Sequence, residues 1–526
     1  MQTQRLTSSQ IITQIQQLVP PGSEEPQEPE LLQKLTGLTQ ALIQEYQASG
    51  RLQDNPFSEV WQRSLHLYES EVRNCLANQS VLVTGGEGCV GQHLINYLLK
   101  LGVKRISSID NARYHSCATT QPTRGQAPNV FLYTADVRDL NALRHIFAQE
   151  KPAIVFHLAA IRIPGLAERM VRETVSSNIF GTQNVIQVCE EFGVRHCIFS
   201  STGKSSRYWT SEVYAASKKV NEWLFAEAAQ RGSVQYGMVR FTHMLNNSSM
   251  CEQIDAKISA HRPINIHAPE RYVVGQNVDE AVCLLLNALV FSKPKYLRFL
   301  IVRNLGWPTE SLEVALHKIQ RSGKNLPIYF QGIPPGYEEP FFLGQVDWNH
   351  QTEINTLINA LETQFFSEVS ASGDMILSEM VPFAIATLTE QLAQLKAVYD
   401  DPMVRAVHIK QKLGDVVASV ALTSFNYAPT ARVLEILKWG INLKRYEQGV
   451  FPLIPYQPFI ELVVQSLYKR LNQDVLQVCK VSLEEFDRWL SALSTVPTVQ
   501  PEVECMRKVF LPNTNALERC STGRAA

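Results

Sequence analysis

The 526-residue chain carries almost no net charge: Lys and Arg number 49 and Asp and Glu 50, a formal balance of −1. That removes any global electrostatic argument for nucleic acid or an anionic membrane as partner. Long apolar runs are also missing. The most apolar window, "AVCLLLNALVF" (281–291), falls well short of the ~20 residues that a membrane-spanning helix needs. The start, "MQTQRLTSSQIITQIQQLVPPG", lacks the basic opening and apolar stretch of a secretory signal. The ten cysteines include no C-x-x-C pair, and Cys89, Cys189 and Cys283 sit in apolar runs as small core residues. These absences predict a reduced, cytoplasmic protein with no membrane span, no nucleic-acid partner and no metal.

What is present is enough apolar content for a large core, 45% hydrophobic against 19% charged, in a chain long enough for two or three domains. Residues 1–77 read as a helical extension, with Ile11, Ile15, Leu18 and Val19 on one side of a first helix. Within it, "PPGSEEPQEPE" (20–30) reads as a Pro/Glu-rich linker, and 31–75 as helix interrupted near Asn55-Pro56. From Ser80 to about Gln345, strand-like runs alternate with amphipathic helical ones. The strands are "SVLVT", "RISSID", "VFLYTAD", "AIVFHLAA", "HCIFSS" and "YGMVRF", and the alternation predicts an α/β fold with a Rossmann-type, doubly wound parallel sheet over 78–345. After 346 the spacing turns helical, in "EINTLINALETQFF", "ILSEMVPFAIATLTEQLAQLKAVY", "RVLEILKWGINLKRYE" and "SLEEFDRWLSAL". A separate, mostly helical domain is expected over 346–500, followed by a frayed tail, 501–526. No internal repeat is visible.

One stretch, "FSSTGKSSRYWTSEVYAASKK" (199–219), supports two incompatible chemistries. Gly-Lys-Ser ends a phosphate-binding P-loop, but that loop needs a second glycine five positions before Gly203, and position 198 is Ile198 in a strand-like run. The alternative is the Tyr-x-x-x-Lys pair, Tyr214 and Lys218. It gains support from "VLVTGGEGCVGQHLINYLL", which places Gly85, Gly88 and Gly91 between a strand and a helix. The first glycine allows the tight turn, Gly88 lets backbone approach a pyrophosphate at the helix N-terminus, and Gly91 allows close packing. Asp110 ends the next strand, where a carboxylate would accept hydrogen bonds from an adenosine ribose. Asp110 favours NAD, and Arg113 nearby keeps NADP open.

With Thr84 before the first glycine, this arrangement resembles the extended short-chain dehydrogenase/reductase superfamily. The resemblance implies cofactor contacts at Thr84, Gly85, Gly88, Cys89, Val90, Gly91, Asp110 and Asn111. It adds Asp136 and Val137 from "TADVRD", and Ala159 and Ala160 from "FHLAAIRIPGLAE". Asn178 in "SSNIFGTQNVI" takes the family's asparagine position, and Thr202 the catalytic Ser/Thr position. By that likeness Tyr214 would be the base and Lys218 would place positive charge near the phenolate and bind the nicotinamide ribose. Thr202 would bind the reacting oxygen, and Asn178 would hold Lys218 through water. Within the superfamily the chain is most similar to the polysaccharide-biosynthesis nucleotide-sugar epimerases and dehydratases. "STGKS" (201–205), "VRFTHML" (239–245), "PINIHAPERYVV" and "GIPPGYEEP" (332–340) resemble that subgroup's segments. The likeness spans about 78–345. It implies oxidation at sugar C4, a nucleotide-diphosphate sugar as substrate, and a homo-oligomer.

The departures lie on the substrate side. Where the dehydratases' S-T-D-K has its acid, this chain has Gly203, while Lys204 keeps the lysine position as a catalytic or a phosphate-contacting residue. The subgroup's Gly-Asn after V-R-F is Thr242-His243; His243 is either a substrate contact or a packed histidine. Arg162 replaces a lysine, and Arg271 sits at the diphosphate-contacting arginine. A carbonyl reductase acting on a non-sugar substrate, and a cofactor-binding scaffold whose helical domain holds a partner, are the rival readings. Retention of Tyr214, Lys218, Thr202 and Asn178 argues against the scaffold.

Overall fold

The computed structural model describes residues 6–111, 119–124, 127–349 and 354–511. A ten-stranded sheet organises it. In chain order its strands are β1 (Ser80–Thr84), β2 (Arg105–Asp110), β3 (Thr119–Arg124), β4 (Val130–Thr134), β5 (Ile154–His157), β6 (His196–Thr202), β7 (Gln235–Phe241), β8 (Arg298–Val302), β9 (Ser367–Val369) and β10 (Met375–Glu379). Across the sheet the order is β9-β10-β8-β7-β6-β5-β1-β2-β4-β3. From β4 to β8 every pairing is parallel, and the antiparallel β3 and the β9–β10 pair close the two edges. The order reverses between β1 and β5, so the C-terminal ends of those strands open a crevice there, the place where such sheets bind ligands. Strands buried on both faces, such as Val81–Thr84 and Ile154–His157, are continuous in apolar character because helices cover the sheet on each side.

All six strands read from the sequence lie in this sheet, along with β8, a fully buried "RFLIV" that the list of strands omitted. The helical reading beyond 346 needs correction. "EINTLINALETQFF" forms only a short helix, Ala360–Phe365, started by an Asn359–Glu362 capping box. "MILSE" (375–379) is strand β10. Its apolar residues fit helical spacing, but β8 presents an unpaired edge, and pairing with it satisfies a row of backbone groups. Arg298 faces Glu379 in that register and the two form an ion pair at 2.8 Å. Helices then follow as expected at Ile385–Asp400, Thr430–Ile441 and Leu483–Leu493, and one more, Ala406–Tyr427, forms in a run not singled out from the sequence; Ser482 caps Leu483–Leu493 by accepting the Glu485 N–H at 3.0 Å. Part of the expected tail, Gln500–Phe510, is helix, with Val503, Met506 and Phe510 buried. Residues 512–526 lie outside the described residues.

Two apolar cores result. The larger runs from the sheet into the C-terminal helices without interruption. The smaller joins the N-terminal helices Ser8–Leu18 and Pro29–Ala48 to residues 245–330. The expected linker 20–30 forms no helix or strand before Pro29, where the second helix begins, yet it is pinned: Glu25 pairs with Lys257 at 3.0 Å and Arg262 at 2.8 Å, and the Gly22 N–H donates to the Gln331 carbonyl at 2.9 Å. No helix among the described residues is long and apolar enough to cross a membrane.

Candidate active site

The turn after β1 is a cradle of bare backbone. Gly85 has φ +74°, and a Cβ there would lie 2.7 Å from the Ala159 nitrogen. A Cβ on Gly91 would strike the Gly85 carbonyl oxygen at 2.3 Å, so this glycine packs the following helix, Cys89–Lys100, against the turn itself. Gly86, which sequence reasoning passed over, is equally constrained: its Cβ would meet Ser108 Oγ at 2.1 Å. Gly88 is the N-cap, and no side chain caps that helix. The first-turn N–H groups are thus left to an anion at the dipole's positive end, and the cradle fits a diphosphate. Asp110 closes β2 beneath it, accepting the Glu87 N–H at 3.0 Å and the Asn111 N–H at 2.9 Å. Arg113 lies outside the described residues.

Thr84 is not exposed to this cradle. It is fully buried, and its hydroxyl meets His157 Nδ1 at 2.7 Å, while His157 Nε2 meets Thr182 Oγ1 at 2.9 Å. Burial, aided by the nearby Lys218 charge, depresses His157 to about 3, so the ring is a neutral brace beneath the segment carrying Ala159 and Ala160. Just after β4, Asp136 is tied to Arg138 at 2.6 Å; burial opposes its charged form, and the Arg138 hydrogen bonds outweigh that and hold the carboxyl low. Val137 is buried against Gly181, and Cys89 and Val90 are half-buried in the first turn after the cradle. Burial raises the Cys89 thiol, with the Arg162 charge opposing.

Tyr214 and Lys218 occupy consecutive turns of the helix Val213–Arg231, so the i, i+4 spacing sets both on one face. Lys218 is 3% exposed; its Nζ donates to the Ser200 carbonyl at 2.8 Å and stands 4.5 Å from the Phe199 ring centre. Burial lowers its pKa to about 7, against the pull of Glu222 one turn on. Burial raises the Tyr214 phenol, while a hydrogen bond with Thr202 and the Arg162 charge act the other way. Thr202 ends β6 and caps the turn Gly203–Ser206. Asn178 lies in a wide π-type turn, Val175–Phe180, a distortion common at functional sites. Its Oδ1 accepts the Ile161 N–H at 2.8 Å, and its Nδ2 donates to the Ile161 carbonyl at 3.1 Å and to Ser217 Oγ at 2.9 Å. Asn178 therefore fixes the backbone beside Arg162 and reaches the Lys218 helix through Ser217.

Arg162 is exposed, and its charge acts on Cys89, Tyr214 and His243, so the four lie near one another. His243 Nε2 meets Ser248 Oγ at 2.7 Å, and burial followed by the Arg162 charge depresses its pKa. Arg271 lies near His267, whose ring is 5.3 Å from Tyr337. Lys204 forms a short ion pair with Glu212, donates to the Gly336 carbonyl at 2.8 Å and stands 5.0 Å from the Tyr337 ring centre. At Gly203 a Cβ would lie 2.2 Å from Leu357 Cδ2, the end of a buried side chain, so an acid there requires Leu357 to shift. Sequence reasoning missed the capping of the Tyr214 helix. Glu339 Oε1 accepts from Thr210 Oγ1 at 2.9 Å and the Glu212 N–H at 3.2 Å, and Glu168 accepts the Val213 N–H at 2.8 Å. Glu339 lay inside the quoted "GIPPGYEEP", but its partner's identity is set by a contact across more than a hundred residues.

Comparison with known proteins agrees with this architecture. The family described as "Polysaccharide biosynthesis protein" matches residues 81–360. The capsular polysaccharide biosynthesis protein CapD of Staphylococcus aureus is 26% identical over 318 residues, covering 56% of this chain and 52% of its own. An inverting UDP-N-acetylglucosamine 4,6-dehydratase of Campylobacter jejuni is 30% identical over 175 residues, covering 32% and 50%. The Thermus thermophilus UDP-glucose 4-epimerase, solved with NAD, superposes with a TM-score of 0.42 at 21% identity, over 49% of this chain and 88% of its own. The chain spans about half the length of the curated relatives it matches first. A family match over more than half its residues, resting on the glycine cradle and the Tyr214 helix, makes this chain a member of the polysaccharide biosynthesis protein family, within the extended short-chain dehydrogenases/reductases.

Proposed function

We propose that the chain is an NAD(P)-dependent enzyme that oxidises a nucleotide-diphosphate sugar at C4 and returns the hydride to the opposite face, a 4-epimerase. The observation that carries this reading is Tyr214 held between Thr202 and the Arg162 charge, one turn before a buried Lys218 lowered to about 7. The nicotinamide supplies the hydride acceptor when bound. The chain's own residues do the rest. The Gly85–Gly91 turn and the Cys89–Lys100 helix start bind the diphosphate, and Asp110 binds the adenosine ribose, which favours NAD. Tyr214 takes the proton of the C4 hydroxyl as its C–H bond breaks. A phenol has a reference pKa of about 10, so it needs help at neutral pH. Lys218 supplies that help as a fixed positive charge, and bound phosphates would favour its protonated form. Thr202 orients the reacting oxygen, and Arg162 and His243 border the sugar.

Epimerisation is preferred over elimination because position 203 is glycine and supplies no acid for a leaving hydroxyl. A 4,6-dehydratase is the second reading, favoured by one observation: Glu212 puts a buried carboxylate on Lys204. Incubation with a panel of UDP- and other nucleotide-activated sugars, plus NAD or NADP, followed by chromatography and mass spectrometry, tests both. A new retention time at unchanged mass is the expected result. Loss of one water selects the dehydratase, and no change in any sugar with either cofactor overturns the proposal.

A further inference from the structure

β6 ends at Thr202, and the chain turns at once through Gly203–Ser206, with Ser205 and Ser206 fully buried. A turn this short cannot satisfy all of its own carbonyls, and a buried carbonyl needs a donor. Two side chains from elsewhere in the chain supply them. Lys219 Nζ donates to the Ser205 carbonyl at 3.0 Å, and Asn359 Nδ2 to the Ser206 carbonyl at 2.8 Å. Of these two donors, Lys219 belongs to the helix that carries Tyr214.

Lys218 and Lys219 are neighbours in sequence but point about 100° apart around the helix. Lys218 Nζ donates to the Ser200 carbonyl at 2.8 Å, two residues before Thr202, and Lys219 to Ser205, three residues after it. The pair therefore clamps the chain on both sides of Thr202. Lys219 is 6% exposed, and its Nζ stands 5.2 Å from the Trp223 ring centre. Burial lowers its pKa to about 8, against the pull of Glu222 and Glu362. Those two carboxylates also pair with Arg240, at 2.7 and 2.6 Å, so the buried cluster holds two cations and two anions. Burying an ammonium is costly, and methionine would fill the same space without that cost. What methionine could not supply is the directed bond from the Tyr214 helix to the turn behind Thr202.

We propose that Lys219 is a positioning residue: its bond to the Ser205 carbonyl, together with the bond from Lys218 to Ser200, holds Thr202 in hydrogen-bonding reach of Tyr214. The consequence for catalysis rests on the role proposed above for Tyr214, whereas the placement of Thr202 does not. Small displacements of a reacting group are expensive, so the loss of one such bond is felt in the chemical step rather than in substrate binding.

Nuclear magnetic resonance of the full chain labelled with [13Cζ]tyrosine tests the placement without substrate or cofactor. The Tyr214 signal is the one that vanishes in Tyr214→Phe, and Thr202→Val marks its position when the hydrogen bond is absent. Lys219→Met should move the signal towards the Thr202→Val position, and Lys219→Arg, which keeps a donor, should hold it near wild type. The double variant Lys219→Met/Glu362→Gln restores charge balance in the cluster without restoring the donor. It should give the Lys219→Met position, and it decides the matter if the single variant does not fold. With an active nucleotide sugar, Lys219→Met should lower kcat by about tenfold or more at unchanged KM. A wild-type Tyr214 signal in Lys219→Met, its recovery in the double variant, no recovery in Lys219→Arg, or an unchanged kcat overturns the proposal. If wild type turns over no sugar at all, the mechanism assigned to Tyr214 fails instead, and the signal alone decides whether Lys219 places Thr202.

Discussion

Tyr214 sits where burial makes its ionisation harder, and only Thr202 and Arg162 oppose that. In the proposed mechanism its contribution would therefore be a proton moved within the transition state rather than a standing phenolate. Tyr214→Phe is expected to slow hydride transfer by roughly 10²–10⁴-fold with cofactor affinity nearly unchanged, read by stopped-flow absorbance at the reduced nicotinamide band. Reduction at the wild-type rate would remove Tyr214 from the mechanism. Lys218 gives a second, independent signal. Its pKa falls from 10.5 to about 7 on folding, so between those values the unfolded chain binds more protons than the folded one. Stability from this group is therefore fully present above 10.5, declines as pH falls through that window, and is lost below about 7. Lys218→Met removes the slope. The melting temperature of wild type relative to the variant should rise from pH 7 to 10, and a flat difference would show that Lys218 is not buried in its charged form's disfavour. Gly203 supplies the third residue-level test. Restoring a carboxylate by Gly203→Asp forces a Cβ into Leu357, an overpacking worth about 1–3 kcal/mol. The single variant should unfold in less denaturant than wild type, and Leu357→Ala in the same chain should recover part of the loss. Full stability of the single variant would mean that Leu357 yields freely.

At the scale of elements, the helix Val213–Arg231 is held to the sheet by a buried charge cluster that local sequence does not announce. Arg240 on β7, fully buried, pairs with Glu222 of that helix at 2.7 Å and with Glu362 of the helix Ala360–Phe365 at 2.6 Å; Ser201 also donates to Glu222 at 2.6 Å. Removing the cation alone leaves two buried carboxylates facing each other. Arg240→Met should cost about 3–5 kcal/mol in chemical denaturation, and neutralising Glu222 and Glu362 to Gln in the same chain should restore a good part of it. An Arg240→Met protein as stable as wild type would show that the cluster is dispensable. This cluster also shows where the sequence was legible. Period-two or continuous apolar runs bounded by turns gave β1, β2, β5, β6 and β7, because each carries its own pattern. The glycine cradle and the Tyr214–Lys218 pair were readable for the same reason: their spacing is local. β10 was misread because its strand character comes from the free edge of β8, and "MILSE" alone fits either period. Leu357 behind Gly203 and Glu339 on the Tyr214 helix were invisible because they reach their targets across 154 and 127 residues of chain or more, distances at which no one-sequence pattern carries information.

For the whole molecule, both additions are tied to the sheet-bearing region by ion pairs and hydrogen bonds. At the N-terminal end, Arg63 holds Glu280 at 2.9 Å and the carbonyls of Gly275 at 2.9 Å and Leu305 at 2.6 Å, while Arg51 pairs with Glu310 at 2.7 Å. At the C-terminal end, Lys410 pairs with Glu168 at 2.7 Å, and Glu168 in turn caps the Tyr214 helix. We propose that residues 1–77, 78–345 and 346–500 are units in sequence that depend on one another in space, because β9 and β10 complete the sheet begun upstream and the larger core crosses the 345/346 boundary. A protease site inserted at residue 351 separates the possibilities. After cleavage the two pieces should co-elute on size exclusion and part only in denaturant, since separation would bare the edge of β8 and the apolar faces of Val239, Leu300 and Phe425. The isolated 1–351 piece should precipitate or bind a hydrophobic dye. A C-terminal piece that elutes alone, folded and with its full helical circular dichroism, would mean that the helices after 346 form an independent domain and that the sheet tolerates the loss of its last two strands.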